Sequence, residues 1–427
     1  MTLVEPASSV AGHIAVPGDK SISHRAVLLG GVSEGETTVR GFGRSGDTEA
    51  TIRAVRALGA EVAEDDVDTL RVRGVGLRGL EPPPEPIDCA NAGTLLRLLT
   101  GLLAGQRGRF ELTGDESLRA RPMRRIVEPL TQMGARIEAD DGRPPLAVEG
   151  GDLHAIRYRL PVASAQVKSC LLLAGLLAAG ETTVEEPVAT RDHTERMLAA
   201  AGAAVSRRGS DVTVRPASRL VLPEVDVPGD FSSAAPFIVA ATLLSGSELT
   251  IHGVCINPTR TGLLDALDRM GARITVLNRR RLGGEPVGDL DVRSAQLVAT
   301  AIEAVEVPRM VDELPLFALA ADSARGESVV TGARELRVKE TDRIETVTNG
   351  LRALGIRITA SDDGFRVRGV PTRPKGGGMG SGGDHRLAML GAVAGLVSRE
   401  GVRLEGADAA AISFPGFFEV LDGVAQR

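Results

Sequence analysis

Aromatic side chains are almost missing from this chain of 427 residues: tryptophan does not occur, tyrosine occurs once, and Phe, Trp and Tyr together make up 2%. The formal net charge is −6. Base-stacking platforms and a net basic field are therefore both lacking, which argues against a nucleic-acid partner. Cysteine is scarce too. Cys89, Cys170 and Cys255 stand far apart with no C-x-x-C pairing, which speaks against a disulfide framework or a structural zinc site and for a reduced, cytoplasmic setting. No run of about 18 uninterrupted apolar residues appears. The opening MTLVEPASSVAGHIAVPG has neither the charged start nor the apolar core of a signal peptide, so a soluble, unexported protein is expected. Lysine is the rarest charged residue, found only at Lys20, Lys168, Lys339 and Lys375, so that 46 of the 50 basic residues are arginine. Where charge is so consistently written as arginine, a retained lysine points to a place that needs a compact ammonium rather than a planar fork.

What the chain does contain, 43% hydrophobic and 25% charged residues, is enough for two domains of ordinary size. One phrase recurs six times: an apolar helical run, a turn with glycine, then a short β-rich run. The copies include RAVLLGGVSEGETTVRG from Arg25, CLLLAGLLAAGETTVEE from Cys170 and FIVAATLLSGSELTIHG from Phe237. The glycines before the β runs, Gly35, Gly108, Gly180, Gly246, Gly326 and Gly401, are spaced by 73, 72, 66, 80 and 75 residues. A second helix follows and, in five copies, closes on a glycine leading into a strand, as in LGAEV at Leu58 and MGARI at Met133 and again at Met270. Each copy reads strand, helix, strand, helix, strand, strand. The sixth ends at its second helix, FFEVLDGVAQR, without strands, and the segment Gly12 to Val16 is expected to supply part of what it lacks. Val-Pro-Gly-Asp occurs at Val16 to Asp19 and again at Val227 to Asp230. Read as two hinge strands, these segments give one three-unit domain over 18–227 and a second made of 1–17 with 228–427.

The first helix of each copy is apolar nearly throughout and must be buried, yet polar residues precede it every time: DKSISHR from Asp19, NAGTLLR from Asn91, SAQVKS from Ser164, DFSSAAP from Asp230, DELP from Asp312 and GDHR from Gly383. Capping explains the serines and aspartates. It does not explain Lys20, Arg25, Lys168 or Arg386. If the buried helices run parallel, three N-termini per domain point at the interdomain cleft with free N–H groups and positive dipole ends, an anion trap. The loops before the second helices add LRARP, RDHTE, NPTR and VKETDR, the last placing Lys339 and Arg343 at i and i+4 with Glu340 beside them. GFGRSG (Gly41 to Gly46) matches the dinucleotide fingerprint in strand-to-helix context, but it is the second-helix loop of one copy among six and no other copy carries the glycines. GMGSGG (Gly378 to Gly383) matches within a flexible glycine-rich loop, and neither string ends as a P-loop does.

PGDKSISHR, NAGT, SAQVKS, RDHTE, NPTR, RVKETDR and GDHR, in this order over essentially the whole chain, resemble the 5-enolpyruvylshikimate-3-phosphate synthases, and SAQVKS, RDHTE and NPTR look like the class II branch. The resemblance implies an α/β, two-domain enolpyruvyl transferase fold, each domain three βαβαββ units with buried parallel helices, an inside-out α/β barrel. It implies transfer of the enolpyruvyl group of phosphoenolpyruvate to the 5-hydroxyl of shikimate 3-phosphate by addition and elimination, with no metal and no organic cofactor. Shikimate 3-phosphate would be held by Lys20, Ser21, Arg25, Ser164, Ala165, Gln166, Arg191, Asp312 and Lys339. Phosphoenolpyruvate would be held by Lys20, Gly93, Arg121, Gln166, Arg343 and Arg386. Asp312 and Glu340 match the proton-transfer positions, with Lys20 between the ligands; either acid could serve as base. A monomer that closes about hinges on two small molecules is expected.

Two residues depart from the family pattern. Ile412 occupies the slot of a lysine in a KTFP-like string, and Glu335 stands where class I enzymes have asparagine. Gly93 stands where glyphosate-tolerant class II enzymes have alanine. The rival of the same fold, the UDP-N-acetylglucosamine enolpyruvyl transferase, typically has a reactive cysteine in the stretch that here reads GRFELTGDESLRARP and contains none. A non-catalytic phosphate-binding homologue is the rival of another class; Asp312, Glu340 and the full cation set speak against it.

Overall fold

A computed structural model describes residues 1–427. The chain forms two compact units. The first comprises Gly18–Pro228 with Leu282–Glu285, the second Met1–Pro17, Gly229–Arg281 and Pro286–Arg427. The turn Leu282–Glu285, which the sequence reading leaves in the second domain, groups with the first, where Glu285 Oε1 lies 2.8 Å from His193 Nδ1. No helix is long and apolar enough to cross a membrane.

The first unit holds helices α1 (Lys20–Gly31), α2 (Gly46–Ala57), α3 (Gly93–Ala104), α4 (Glu116–Arg119), α5 (Arg124–Gln132), α6 (Ala165–Gly175) and α7 (His193–Ala200). Its three four-stranded sheets share one plan. In the second of them Ile87–Asp88 pairs in parallel with Gly108–Thr113, which pairs antiparallel with Arg143–Gly150 and through it with Arg136–Asp140. The parallel partner comes from just before the buried helix, so this copy begins as a strand–helix–strand crossover and ends in a hairpin. In the first sheet that partner is Glu224–Asp226, the last strand of the unit, laid beside Glu36–Arg40.

The second unit holds α8 (Phe231–Leu243), α9 (Gly262–Arg269), α10 (Leu314–Asp322), α11 (Arg343–Ala353), α12 (His385–Val397) and α13 (Phe417–Val424). Here the N-terminal segment departs from expectation. The strand Ser9–Ala15 pairs in parallel with Glu248–Cys255 and so completes the fourth copy, not the sixth. The sixth copy is completed by Thr2–Val4, antiparallel to Val402–Glu405 with Thr2 opposite Leu404. After α13 the chain adds a short strand, Ala425–Gln426, antiparallel to Ser9–Val10, where the sequence suggested none. Strand partners hundreds of residues apart leave no local pattern to read.

The repeat itself has a local cause. All six glycines before the β runs have positive φ, from 78° at Gly246 to 119° at Gly108, and so do the glycines that end the second helices, such as Gly59 (104°) and Gly134 (101°). A side chain is strained there, so the residue type is dictated wherever the turn recurs. The six first helices, α1, α3, α6, α8, α10 and α12, are buried nearly throughout. Four take an N-terminal side-chain cap: Asp19 accepts from Ile22 N at 3.0 Å, Ser164 from Val167 N at 3.4 Å, Asp230 from Ser232 N at 2.7 Å and Asp384 from Arg386 N at 2.8 Å. Within each unit the two Val-Pro-Gly-Asp segments meet: the Asp19 N–H donates to Pro228 O and the Asp230 N–H to Pro17 O, both at 2.8 Å.

Helices α3 and α6 touch at their first turns, where Gln166 Nε2 donates to Thr94 Oγ1 at 2.9 Å, and again midway, where a Cβ on Gly101 would sit 2.3 Å from Cys170 O. Contact at both levels requires the two to run in the same direction. Because the obstacle at Gly101 is backbone, neither rotamer change nor side-chain shift relieves it. Gly101→Ala should destabilise the first unit by about 1–3 kcal/mol through overpacking, read as a lower denaturation midpoint; an unchanged midpoint would mean that the helices separate without cost.

Candidate active site

In the first unit the starts of α1, α3 and α6 bring together most of the cations singled out in the sequence. Lys20, the first residue of α1, places Nζ 2.8 Å from Asp47 Oδ2 in the first turn of α2. Arg25 lies one turn deeper and is 4% exposed. Its Nε donates to Thr194 Oγ1 at 2.7 Å, Nη1 to the Ser21 carbonyl at 2.7 Å and Nη2 to Ser169 Oγ at 2.9 Å. Burial is the main reason its pKa falls, to about 10, so it is still charged at neutral pH. Ser164 caps α6, Ala165 opens it, and Gln166 bridges to α3, accepting from Arg97 Nη1 at 2.7 Å. Gly93 opens α3 without a side-chain cap, and a Cβ there would lie 2.8 Å from Arg97 Nη1 and 3.1 Å from Arg121 Nη1. Arg121 is steadied by Asn91 Oδ1 at 2.7 Å and Ser117 Oγ at 3.3 Å, the latter from the short helix α4. Arg191, half-buried, stands in the loop before α7.

In the second unit one guanidinium organises the site. Arg343, at the start of α11, is 1% exposed and reaches three carboxylates. Nε donates to Asp384 Oδ2 at 2.8 Å, Nη1 to Asp312 Oδ1 at 3.3 Å and Nη2 to Glu340 Oε2 at 2.6 Å. Burial opposes the charge of Arg343, but Asp384, Glu340 and Asp312 more than offset it, and its pKa is raised. Lys339 is affected in the opposite direction: withdrawal from water lowers its pKa despite Asp312, Glu335 and Glu340 nearby. Arg386, in the first turn of α12, has a buried Nε with no hydrogen-bond partner. The residue before α10 is Glu313, whose side chain does not cap it, so Asp312 is not an N-cap. Ser232 likewise is no cap: its hydroxyl donates to Glu313 and accepts from Arg260 Nη2 at 3.0 Å.

The structure adds groups that the sequence reading passed over. Asp47 neutralises Lys20; its signal was position, since it opens the second helix of its copy, where other copies carry Arg191 and Arg343. The glycines before it serve that same helix start, with Ser45 and Thr48 forming a capping box. Arg97 shares the seat of Gly93 with Arg121, and Asp384 is both the cap of α12 and a two-oxygen partner of Arg343, at 2.8 and 3.2 Å. Ile412 ends a 3₁₀ turn (Ala407–Ile412) and packs against the apolar core of the second unit. All three cysteines are buried, and burial pushes the thiols of Cys89 and Cys170 well up, which makes both poor nucleophiles.

Comparison with known proteins agrees over the full length. The family model described as EPSP synthase (3-phosphoshikimate 1-carboxyvinyltransferase) matches residues 4–421. The 3-phosphoshikimate 1-carboxyvinyltransferase of Desulforudis audaxviator is 52% identical over 427 residues, with 99% of each chain covered. That of Geobacter metallireducens is 50% identical over 426 residues, again covering 99% of each. Among solved structures, an EPSP synthase from Acinetobacter baumannii superposes with a TM-score of 0.88 at 42% identity, over 99% of this chain and 97% of that one. The enolpyruvyl transferase NikO from Streptomyces tendae shares the fold, with a TM-score of 0.80 at 19% identity over 99% and 96% of the two chains. With two clusters of buried helix starts that carry the expected cations and acids, and relatives matching from end to end, the chain belongs to the EPSP synthase family.

Proposed function

We propose that the chain transfers the enolpyruvyl group of phosphoenolpyruvate to the 5-hydroxyl of shikimate 3-phosphate, giving 5-enolpyruvylshikimate 3-phosphate and inorganic phosphate. The observation that carries the reading is Arg343, a buried guanidinium that holds the carboxylates of Asp312 and Glu340 at 3.3 and 2.6 Å. Two carboxylates fixed on one cation are what an addition and elimination needs. One takes the proton of the attacking hydroxyl as its oxygen bonds to C2 of phosphoenolpyruvate, and the other protonates the methylene carbon. The methyl group then gives a proton back as the bond to phosphate breaks.

The remaining residues bind and neutralise. Arg25, Arg191, Ser21 and the start of α6 (Ser164, Ala165, Gln166) take shikimate 3-phosphate, with Lys339 and Asp312 on its ring hydroxyls. Gly93, Arg121, Gln166, Arg343 and Arg386 take phosphoenolpyruvate, and Arg97 joins them because it shares the seat of Gly93. Lys20 exchanges Asp47 for substrate oxygens. The α3 start has free N–H groups and no side-chain cap, which suits it to an anion. Free buried cysteines support a reducing, cytoplasmic location, and nothing in the reaction calls for more than one copy of the chain.

Phosphate release in the presence of both substrates tests the reading: none above background in the purified chain would overturn it. Asp312→Asn and Glu340→Gln should each lower turnover by about 10² or more while shikimate 3-phosphate still binds, and wild-type turnover in either variant would remove that acid from the mechanism. Gly93→Ala should weaken inhibition by glyphosate far more than use of phosphoenolpyruvate. The added methyl pushes on the mobile ends of Arg97 and Arg121, and the longer ligand has less room to follow them. Inhibition titrations on both proteins decide this, a wild type already insensitive to millimolar glyphosate being the contrary result.

A further inference from the structure

Lysine marks four positions in the chain, and the reaction proposed above employs Lys20 and Lys339 while leaving Lys168 without a task. Lys168 lies in the first turn of α6 with its side chain wholly buried. Its ammonium faces three oxygens: Glu195 Oε1 at 2.7 Å, Glu186 Oε1 at 3.1 Å and the Thr190 carbonyl at 3.4 Å. The contacts to Glu195 and Glu186 are ion pairs and the Thr190 carbonyl takes the hydrogen bond; a compact ammonium can stand close to all three oxygens of this tripod, as a planar guanidinium cannot. Those oxygens mark the beginning, the middle and the end of one segment. Glu186 follows the strand Thr182–Glu185, Thr190 directly precedes Arg191, and Glu195 lies in the first turn of α7. The segment is drawn tighter by Glu186 Oε1, which accepts the Thr190 N–H at 3.0 Å and also its hydroxyl. Arg207 pairs with the other oxygen of Glu186 and lies 3.7 Å from Glu195, so two cations balance two carboxylates.

The neighbours of this pair do a parallel job. Ser169, next to Lys168, and Thr194, next to Glu195, share a hydrogen bond of 2.7 Å, and both accept from Arg25. Burying an ammonium with two carboxylates carries a large desolvation cost, and well-packed apolar residues would hold a loop as firmly. Geometry is what the ionic version adds.

We propose that Lys168 is a positioning residue for shikimate 3-phosphate. Its tripod fixes the 186–195 segment so that Arg191 meets the substrate phosphate at a set distance from Arg25. This rests on the reading of Arg191 as a phosphate ligand. Lys168 touches no substrate; it acts through Arg191.

Steady-state kinetics on the full chain tests it with the charge-balanced double variant Lys168→Met/Glu195→Gln, which keeps the Arg207–Glu186 pair, and with Lys168→Arg, which keeps the charge but not the tripod. Each should raise KM for shikimate 3-phosphate about tenfold or more, as loss of an orienting partner does elsewhere. KM for phosphoenolpyruvate and kcat should move less than about threefold. In an Arg191→Ala background the same changes should add nothing, since the group they orient is gone. A folded double variant with wild-type KM for shikimate 3-phosphate overturns the proposal. So does a full additional loss in the Arg191→Ala background, which would show action independent of Arg191. Should Arg191→Ala by itself leave that KM unchanged, the ligand role of Arg191 falls and the positioning role falls with it. If the double variant does not fold, the KM ratio of Lys168→Arg decides alone.

Discussion

A buried helix must still satisfy the N–H groups of its first turn, and this molecule buries six. The apolar bodies of those helices form the two cores, so polar residues inside the protein are crowded into the few places where the helices begin. Capping aspartates answer part of the demand. The arginines and lysines beside them only donate and so leave the remaining N–H groups unmet, which puts hydrogen-bond donors and positive charge at the same helix starts. Anions are favoured at such ends by the helix dipole as well, which lets a protein of net charge −6 carry sites for phosphates and carboxylates.

The two units meet that demand with different electrostatics. In the first, Arg25 is satisfied by two hydroxyls and a carbonyl, while Arg97 and Arg121 hydrogen-bond to neutral oxygens of Gln166, Gly93, Asn91 and Ser117. Hydrogen bonds to neutral oxygens orient these guanidinium groups. In the second, Arg343 sits among Asp312, Glu340 and Asp384 and its charge is matched more than fully. There the cation fixes the carboxylates of Asp312 and Glu340 on one guanidinium.

Scarcity of lysine gains a physical meaning in the same terms. Lys20 and Lys168 each meet carboxylates, Lys20 at Asp47 in partly exposed surroundings and Lys168 within a buried group of three oxygens. Lys339 is held among acids yet has its pKa lowered by withdrawal from water. Surface charge elsewhere is largely carried by arginine paired across strands, as at Arg109 with Glu138.

By itself the sequence determined the repeat, the buried helices and the polar residues at their starts, because each has a local cause: a glycine where φ is positive, an apolar run, a cap. The family followed from the order of those starts. What it could not determine was which distant partners close each element. Thr2–Val4 completes the sixth copy and Ser9–Ala15 the fourth, a pairing fixed by backbone hydrogen bonds across most of the chain rather than by any pattern within a strand. Asp47 on Lys20, Asp384 on Arg343 and the three oxygens around Lys168 were likewise decided only by tertiary packing. An ion pair depends on a separation of about 3 Å, and only the folded chain brings residues 20 and 47, or 343 and 384, to that distance.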